Sequence, residues 1–328
     1  MNWYPWLNLP YKQIITFYQK RKHHALLLHS NPGMASDVLV CAITKWLICL
    51  NPINIKNCGS CHNCQLMLTH NHPDLHKIIN ENNSNKISIE NIRSLTENLV
   101  NYAQQGGAKV IWFPNVALLT ESAITALLKT LEEPTNNTYF LLECRDPIHL
   151  LTTLRSRCFY YYLSAPDPQT IINWLKKQNI NLTLLEIETA IKLNLYAPLA
   201  TLNLLKPKNW LKRKNFCKSL MQSLVNKNFL ILLIELDQSN VLERIYWLIS
   251  FLLDALKHKL DATSYCINQD ELPLIKKLAN INSSDILLKS ITRWMTCRYQ
   301  LISITGLNQK LHLSAQLIKW QNTLYLDK

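Results

Sequence analysis

Glycine is scarce: five residues in a chain of 328, against 13 prolines. So few conformationally free positions leave little room for a succession of tight hairpins, and they point to a largely helical protein. Long apolar runs are missing as well. No stretch approaches the roughly 18 to 20 apolar residues that cross a bilayer, so no membrane segment is expected. The opening Met1-Asn2-Trp3-Tyr4-Pro5-Trp6 lacks the basic-then-apolar layout of an export signal, and the protein is expected in the cytoplasm. Acidic residues are also few, 22 against 35 Lys and Arg, which gives a formal charge of +13. That balance permits contact with nucleic acid or an acidic partner. The chain is equally rich in Asn, Lys and Ile, however, and such compositional drift raises charge without any function. At 48% hydrophobic and 17% charged residues, the chain is long enough for two or three domains with cores of their own.

Another absence is more specific. The segment Ala25-Leu26-Leu27-Leu28-His29-Ser30-Asn31-Pro32-Gly33-Met34-Ala35-Ser36-Asp37 reads as an apolar strand, a turn and a helix beginning near Ser36. This is the frame of a phosphate loop, whose working form is G-x-x-x-x-G-K-[ST]. In that form glycines let backbone N–H groups approach the phosphates, the lysine neutralises them and the hydroxyl holds magnesium. Here only Gly33 is left, and no lysine opens the helix at Ser36-Asp37. A nucleotide-hydrolysing site also needs an acidic pair after a later strand. The matching strand, 110–113, is followed by Pro114-Asn115. Two separate parts of one site are missing at the expected spacing, so no hydrolysis of ATP by this chain's own site is expected.

Strands are expected at 25–28, 75–79, 110–113, 139–142 and 159–163, each a short apolar, aromatic or β-branched run. Helical spacing places Val38, Ala42, Ile43, Trp46 and Leu47 on one face, then Ile92, Leu95 and Leu99, then Ile124, Leu127, Leu128 and Leu131. Thr120 suits the cap of the last of these helices, with Pro134 after its end. Such alternation implies a mostly parallel sheet covered by helices. Asp167-Pro168 then opens a wholly helical remainder, with a second break at Lys206-Pro207 and a helical pattern at Leu242, Ile245, Leu248, Ile249 and Leu252. Lys212-Arg213-Lys214 reads as a solvated basic turn, and 80–85 as a short polar loop.

Ten cysteines in a reducing compartment suggest metal rather than disulfides where they cluster. Cys49, Cys58, Cys61 and Cys64 form C-x8-C-x2-C-x2-C, and Gly59 permits a tight turn between them. Four thiolates make a closed tetrahedral site, which indicates structural zinc. An iron–sulfur cluster would call for a further cysteine and proline that are not there. His62, His70 and His72 are possible substitute ligands. Cys41, Cys144, Cys217, Cys266 and Cys297 read as buried thiols. Arg155 and Arg157, just before the last strand, are either loop arginines paired with carboxylates or an arginine finger for a phosphate across an interface.

Taken together these residues resemble the delta-prime family of bacterial DNA polymerase III clamp-loader subunits. The resemblance rests on Trp3-Tyr4-Pro5-Trp6-Leu7, His24-Ala25-Leu26-Leu27, Pro32-Gly33-Met34 and the knuckle Cys58-Gly59-Ser60-Cys61-His62-Asn63-Cys64-Gln65-Leu66. It extends to His72-Pro73-Asp74 and Gly106-Gly107-Ala108-Lys109-Val110. Its most specific parts are Ala126-Leu127-Leu128-Lys129-Thr130-Leu131-Glu132-Glu133-Pro134 and Leu154-Arg155-Ser156-Arg157-Cys158, which are similar to blocks of clamp-loader subunits generally. The likeness covers nearly the whole chain, strongly to about residue 163 and more thinly after it, where Ser303-Ile304-Thr305-Gly306-Leu307-Asn308 still fits.

The resemblance implies an α/β region followed by an all-α one. It implies an AAA+ domain over 1–165 with a zinc module at about 49–64, a helical lid over 166–206 and a helical collar over 207–328. It implies a ring-like pentamer with the gamma/tau and delta subunits, part of the DNA polymerase III holoenzyme, that loads the sliding clamp onto primed DNA. In that family this subunit is a stator with no ATP bound in cis and is not an enzyme on its own. It presents an arginine, here Arg157 between Ser156 and Cys158, to ATP on a neighbouring gamma/tau subunit. The zinc ligands would be Cys49, Cys58, Cys61 and Cys64. The lid arginine of ATP-binding relatives would fall near Leu199, and Ala35 stands where glycine is frequent. Two other readings remain open: an active ATPase with an atypical phosphate loop, and a stand-alone zinc-containing DNA-binding protein.

Overall fold

The structure is a computed structural model and describes residues 2–21, 23–69, 71–79, 86–99, 103–145, 152–178, 180–237, 240–304 and 306–325. His70, Thr305 and the polar loop at 80–85 lie outside these residues. The chain divides into two compact units, Met1–Pro166 and Asp167–Lys328.

In the first unit β1 (Ala25–Ser30), β2 (Leu75–Lys77), β3 (Lys109–Phe113), β4 (Thr138–Cys144) and β5 (Phe159–Leu163) form one parallel sheet in the order β2-β3-β4-β1-β5. All five expected strands are present, the last with the expected bounds and the others with one or both ends moved by one or two residues. β1, paired on both sides by β4 and β5, has both faces covered, so Leu26, Leu27 and Leu28 are all fully buried and the run is apolar rather than alternating. Each such leucine contributes about 2 kcal/mol of burial. β5 lies at an edge and carries four consecutive aromatics, alternately half-buried and exposed. Phe159 stacks on Phe17 of α1 (Asn8–Arg21), with ring centroids 3.6 Å apart.

The helices of this unit continue with α2 (Ser36–Ile48), α3 (His62–Leu68), α4 (Ile89–Leu99), α5 (Glu121–Glu132) and α6 (Thr152–Ser156). The Thr120 hydroxyl caps α5 by accepting from the Ala123 N–H at 3.2 Å. The buried face of α4 is the expected Ile92, Leu95 and Leu99. On α5 Leu128 turns partly outward, while Ala123 and Thr130 turn in. α2 differs from expectation. Its buried face is Leu39, Val40, Ile43, Thr44, Leu47 and Ile48, whereas Val38, Ala42 and Trp46 are only half-buried. Trp46 is drawn aside because its indole N–H bonds the Asn54 carbonyl, 3.0 Å away.

The second unit is entirely helical among the described residues: α7 (Pro168–Lys176), α8 (Leu184–Leu193), α9 (Pro198–Leu205), α10 (Pro207–Asn226), α11 (Leu233–Leu236), α12 (Val241–Lys259), α13 (Leu272–Ile281), α14 (Ser284–Ser303) and α15 (Gln309–Tyr325), with short 3-10 turns. Asp167 caps α7 through the N–H groups of Gln169 and Thr170, at 3.0 and 3.3 Å, with Pro168 at the first position. One apolar cluster runs from Ile171 to Leu324. The expected lid–collar boundary therefore lies inside this unit, at the short break between α9 and α10.

Lys212-Arg213-Lys214 is not a solvated turn. It lies within α10, and Arg213 is fully buried. Its guanidinium forks onto Asp270 at 2.5 and 3.0 Å and onto the Asn268 side-chain oxygen at 2.9 Å, with the Trp210 and Phe251 rings beside it. Asn268 in turn bonds the buried Asp254 carboxylate at 2.8 Å. A helix that packs on two faces must bury some polar positions, and a run of three basic letters does not show which one turns inward. Lys214, beside it, reaches Glu186 at 2.5 Å. Burial opposes the charge on Glu186, but Lys214, the Thr183 N–H and the Trp210 indole hold its carboxyl down at about 2.

Candidate functional site

β1 and β4 are neighbours whose onward connections leave toward opposite edges of the sheet, the arrangement that opens a ligand crevice at the carboxyl ends of strands. The phosphate-loop segment follows β1 at this crevice. Gly33 has φ 87° and Ala35 φ 62°, both left-handed. Glycine tolerates this geometry, while alanine bears about 1 kcal/mol of strain there. Ser36 and Asp37 are the first two residues of α2. The loop is covered rather than open: Met34 and Ala35 are buried, and the Trp6 indole donates to the Met34 carbonyl at 3.0 Å.

Glu143, near the end of β4, went unnoticed in the sequence. It is only 6% exposed and accepts from the Trp112 indole of β3 at 2.7 Å. Burial pushes its carboxyl above the usual range, and Asp37 adds to that shift; the Ser36 hydroxyl, the Trp112 indole and Lys77 oppose it. Lys77 lies over the Trp112 ring at 4.3 Å. A carboxylate thus meets the first turn of α2, the end of the helix that in a working loop would face a phosphate. A glutamate inside an apolar strand, five residues from its start, was the available signal.

Pro114 and Asn115 follow β3, and the Asn115 side chain is engaged in capping the next turn, accepting from the Ala117 N–H at 3.2 Å. Leu199 lies half-buried in the first turn of α9 in the second unit.

The two sequence blocks singled out around 126–134 and 154–158 meet in space. Arg157 follows α6, and its guanidinium pairs with the Glu132 carboxylate at the end of α5 and donates to the Thr153 carbonyl at 2.9 Å. Its side chain remains 33% exposed. Ser156 also bonds the Thr153 carbonyl, at 3.0 Å. Burial pushes the Cys158 thiol up to about 12, so it is a neutral packing group rather than a nucleophile.

Cys49, Cys58, Cys61 and Cys64 converge, with all four sulfurs within 4.8 Å of one another. The distances 3.5, 4.0 and 3.9 Å between Cys49 and Cys58, Cys49 and Cys61, and Cys58 and Cys64 suit a tetrahedron. Bonds of about 2.3 Å to a central zinc place sulfurs about 3.8 Å apart. N–H groups of Cys61 and Ser60 pull the Cys58 thiol down to about 6, whereas burial pushes Cys49 up to about 12. Only a divalent cation would let all four become thiolates together, and the donor set fits zinc. Cys49 caps α2, Cys64 lies on α3, and Gly59 turns between them at φ 76°. Tyr11 at 2.7 Å from the Ile55 carbonyl and Gln19 at 2.8 Å from the Asn54 carbonyl pin the intervening loop. A Cβ at Gly107 would press within 3.2 Å of Leu50, so the Gly106-Gly107 turn is the seat of this module. Asn63 bonds the Gly106 carbonyl at 3.2 Å. Among the described residues no histidine joins the cysteine group: His62 is exposed, and the His72 ring accepts from the Asp74 N–H at 3.2 Å. Of the other thiols, Cys144, Cys217, Cys266 and Cys297 are buried and Cys41 is half-buried.

Comparison with known proteins places this geometry in context. A family model described as DNA polymerase III, delta subunit, matches residues 11–167, and one described as the C-terminal part of that subunit matches 207–322. DNA polymerase III subunit delta' of Yersinia pestis is 45% identical over 99% of this chain and 97% of its own length. The subunit of the same name from Escherichia coli is 38% identical over 99% and 97%. A tau/gamma subunit of Haemophilus influenzae is 32% identical, over 49% of this chain and 23% of its own. Among solved structures, a DNA polymerase III gamma subunit-related protein from Thermotoga maritima matches 95% of this chain and 99% of its own, with a TM-score of 0.50 at 18% identity, which is a likeness of fold. No helix among the described residues is long and apolar enough to cross a membrane.

Proposed function

Because the chain belongs to the DNA polymerase III delta' family of clamp-loader subunits, we propose that it serves as the stator of that complex. It binds no ATP in cis, and Arg157 acts as an arginine finger on ATP held by an adjacent gamma/tau subunit. Its partners are gamma/tau and delta, and through the assembled complex the sliding clamp and primed DNA. The order of parts is an AAA+ domain over 1–165, a lid over 166–206 and a collar over 207–328. The cysteine cluster holds one structural zinc. The setting is the cytoplasm.

One contrast carries this reading. At the phosphate loop a buried carboxylate faces the first turn of α2 and no lysine opens that helix, so the loop itself offers a nucleotide's negative charge no cation. At the other turn a permanently charged guanidinium remains one third exposed. Further support comes from α14, whose Leu288, Met295, Tyr299 and Ile302 form one exposed apolar stripe at helical spacing, suited to covering by a neighbouring subunit.

The test is reconstitution with gamma/tau and delta, followed by ATP turnover in the presence of primed DNA and clamp. Arg157→Ala leaves assembly intact and lowers turnover; equal turnover by the variant refutes the finger. The isolated chain shows no binding of labelled ATP at equilibrium, and measurable affinity would favour the atypical-ATPase reading. Tight, salt-sensitive DNA binding by the isolated chain would favour the stand-alone DNA-binding reading. Elemental analysis finds one zinc per chain, lost when Cys61 and Cys64 are both changed to serine.

A further inference from the structure

Arg157 does not hold its place alone. Leu154, fully buried, anchors α6, and Leu131, 1% exposed, anchors the end of α5. The Leu131 carbonyl is also bonded by the His24 ring, 2.7 Å away, just before β1. The backbones on both sides of the Arg157 turn are therefore seated on the core, and the long side chain between them is what remains to be restrained. The Thr153 carbonyl takes one hydrogen bond from one terminal nitrogen of the guanidinium, and Glu132 pairs with the other. A single contact would leave the group free to swing about it, whereas two, on different terminal nitrogens, fix its plane. A guanidinium has five N–H donors. With one directed to each partner, three are left for a further anion on the exposed side.

We propose that Glu132 is a positioning residue for Arg157. Its carboxylate holds one terminal nitrogen of the guanidinium against α5, so that the remaining donors are presented at a fixed place to a phosphate of the neighbouring subunit. This rests on the reading of Arg157 as a finger. Glu132 touches no phosphate itself; it acts through orientation, because a donor that arrives already placed loses less freedom at the transition state.

The experiment uses the reconstituted complex with gamma/tau, delta, clamp and primed DNA, and reads kcat and KM for ATP separately. Glu132→Ala lowers kcat about two- to fivefold, the size of one partly exposed ion pair, and leaves KM unchanged. Glu132→Gln, which keeps an acceptor oxygen without the charge, retains more of the parental kcat than Glu132→Ala. In an Arg157→Ala background Glu132→Ala has no further effect. Three outcomes overturn the proposal: an unchanged or raised kcat for Glu132→Ala while Arg157→Ala lowers it, a change confined to KM, or full additivity of the two substitutions. If Arg157→Ala itself leaves turnover unaltered, the finger reading fails first and Glu132 has nothing to position. Gel filtration of each variant complex guards against loss of assembly, and the near-isosteric Glu132→Gln decides the matter where Glu132→Ala fails to assemble.

Discussion

Two arginines, one in each unit, answer the same question in opposite ways. Arg213 is fully buried, its fork closed on Asp270 and Asn268 and flanked by two aromatic rings. Arg157 is one third exposed and rests on one carboxylate and one carbonyl. The first has its charge matched inside the fold, so it serves the fold. The second keeps donors facing outward, so it is available to something else. An arginine's role follows from how many of its donors the protein itself occupies, and from how much water remains to take up the rest.

Stability measurements can break that contrast. Arg213→Met should destabilise the protein by about 3 to 5 kcal/mol in urea denaturation, because it leaves Asp270 charged, buried and alone. Pairing it with Asp270→Leu should recover much of that loss. Arg157→Ala should cost less than about 1 kcal/mol, as partly exposed ion pairs do. Similar losses at the two sites would mean that Arg157 is a structural residue after all.

A smaller effect sharpens the comparison from the acidic side. Glu143 is buried, as the Asp270 side chain is, but among the described residues it pairs with no arginine; neutral donors and the nearby Lys77 act on it instead. Its carboxyl is pushed up by burial, so the folded state favours the protonated form. The associated stability is present in full below the ordinary carboxylate range, about pH 4, and is lost as pH rises through the folded value. Glu143→Gln keeps an acceptor for Trp112 and removes the charge. It should match the parent below about pH 4 and exceed it near neutral pH. Parallel pH profiles for the two proteins would show that Glu143 pays no burial penalty.

The sheet was plain in the sequence because parallel, doubly covered strands leave continuous apolar runs, and 25–28 is one such run. The cysteine cluster was plain because paired x2 spacings converge on one point by local geometry. Asp167 and Thr120 announced their helix starts through side-chain oxygens next to free N–H groups. What stayed hidden depended on contacts between distant segments. Nothing near Arg213 foretells Asp270, 57 positions on. The blocks around Glu132 and Arg157 were both conspicuous, yet their meeting was not, because the pairing is made by the packing of α5 and α6. Trp46 left the buried face of α2 for a carbonyl that only the folded cysteine module supplies.

The strand order has a consequence for synthesis. Ala25 pairs with Phe140, so the first strand to leave the ribosome must wait for its earlier partner, β4, made about 115 residues later, roughly 6 to 23 s at ordinary elongation rates. Throughout that interval its fully apolar run has no permanent neighbour. The cysteine module, whose ligands all lie between Cys49 and Cys64, is complete long before then. A metal ion captured there would give the nascent chain its first fixed point while the centre of the sheet is still open.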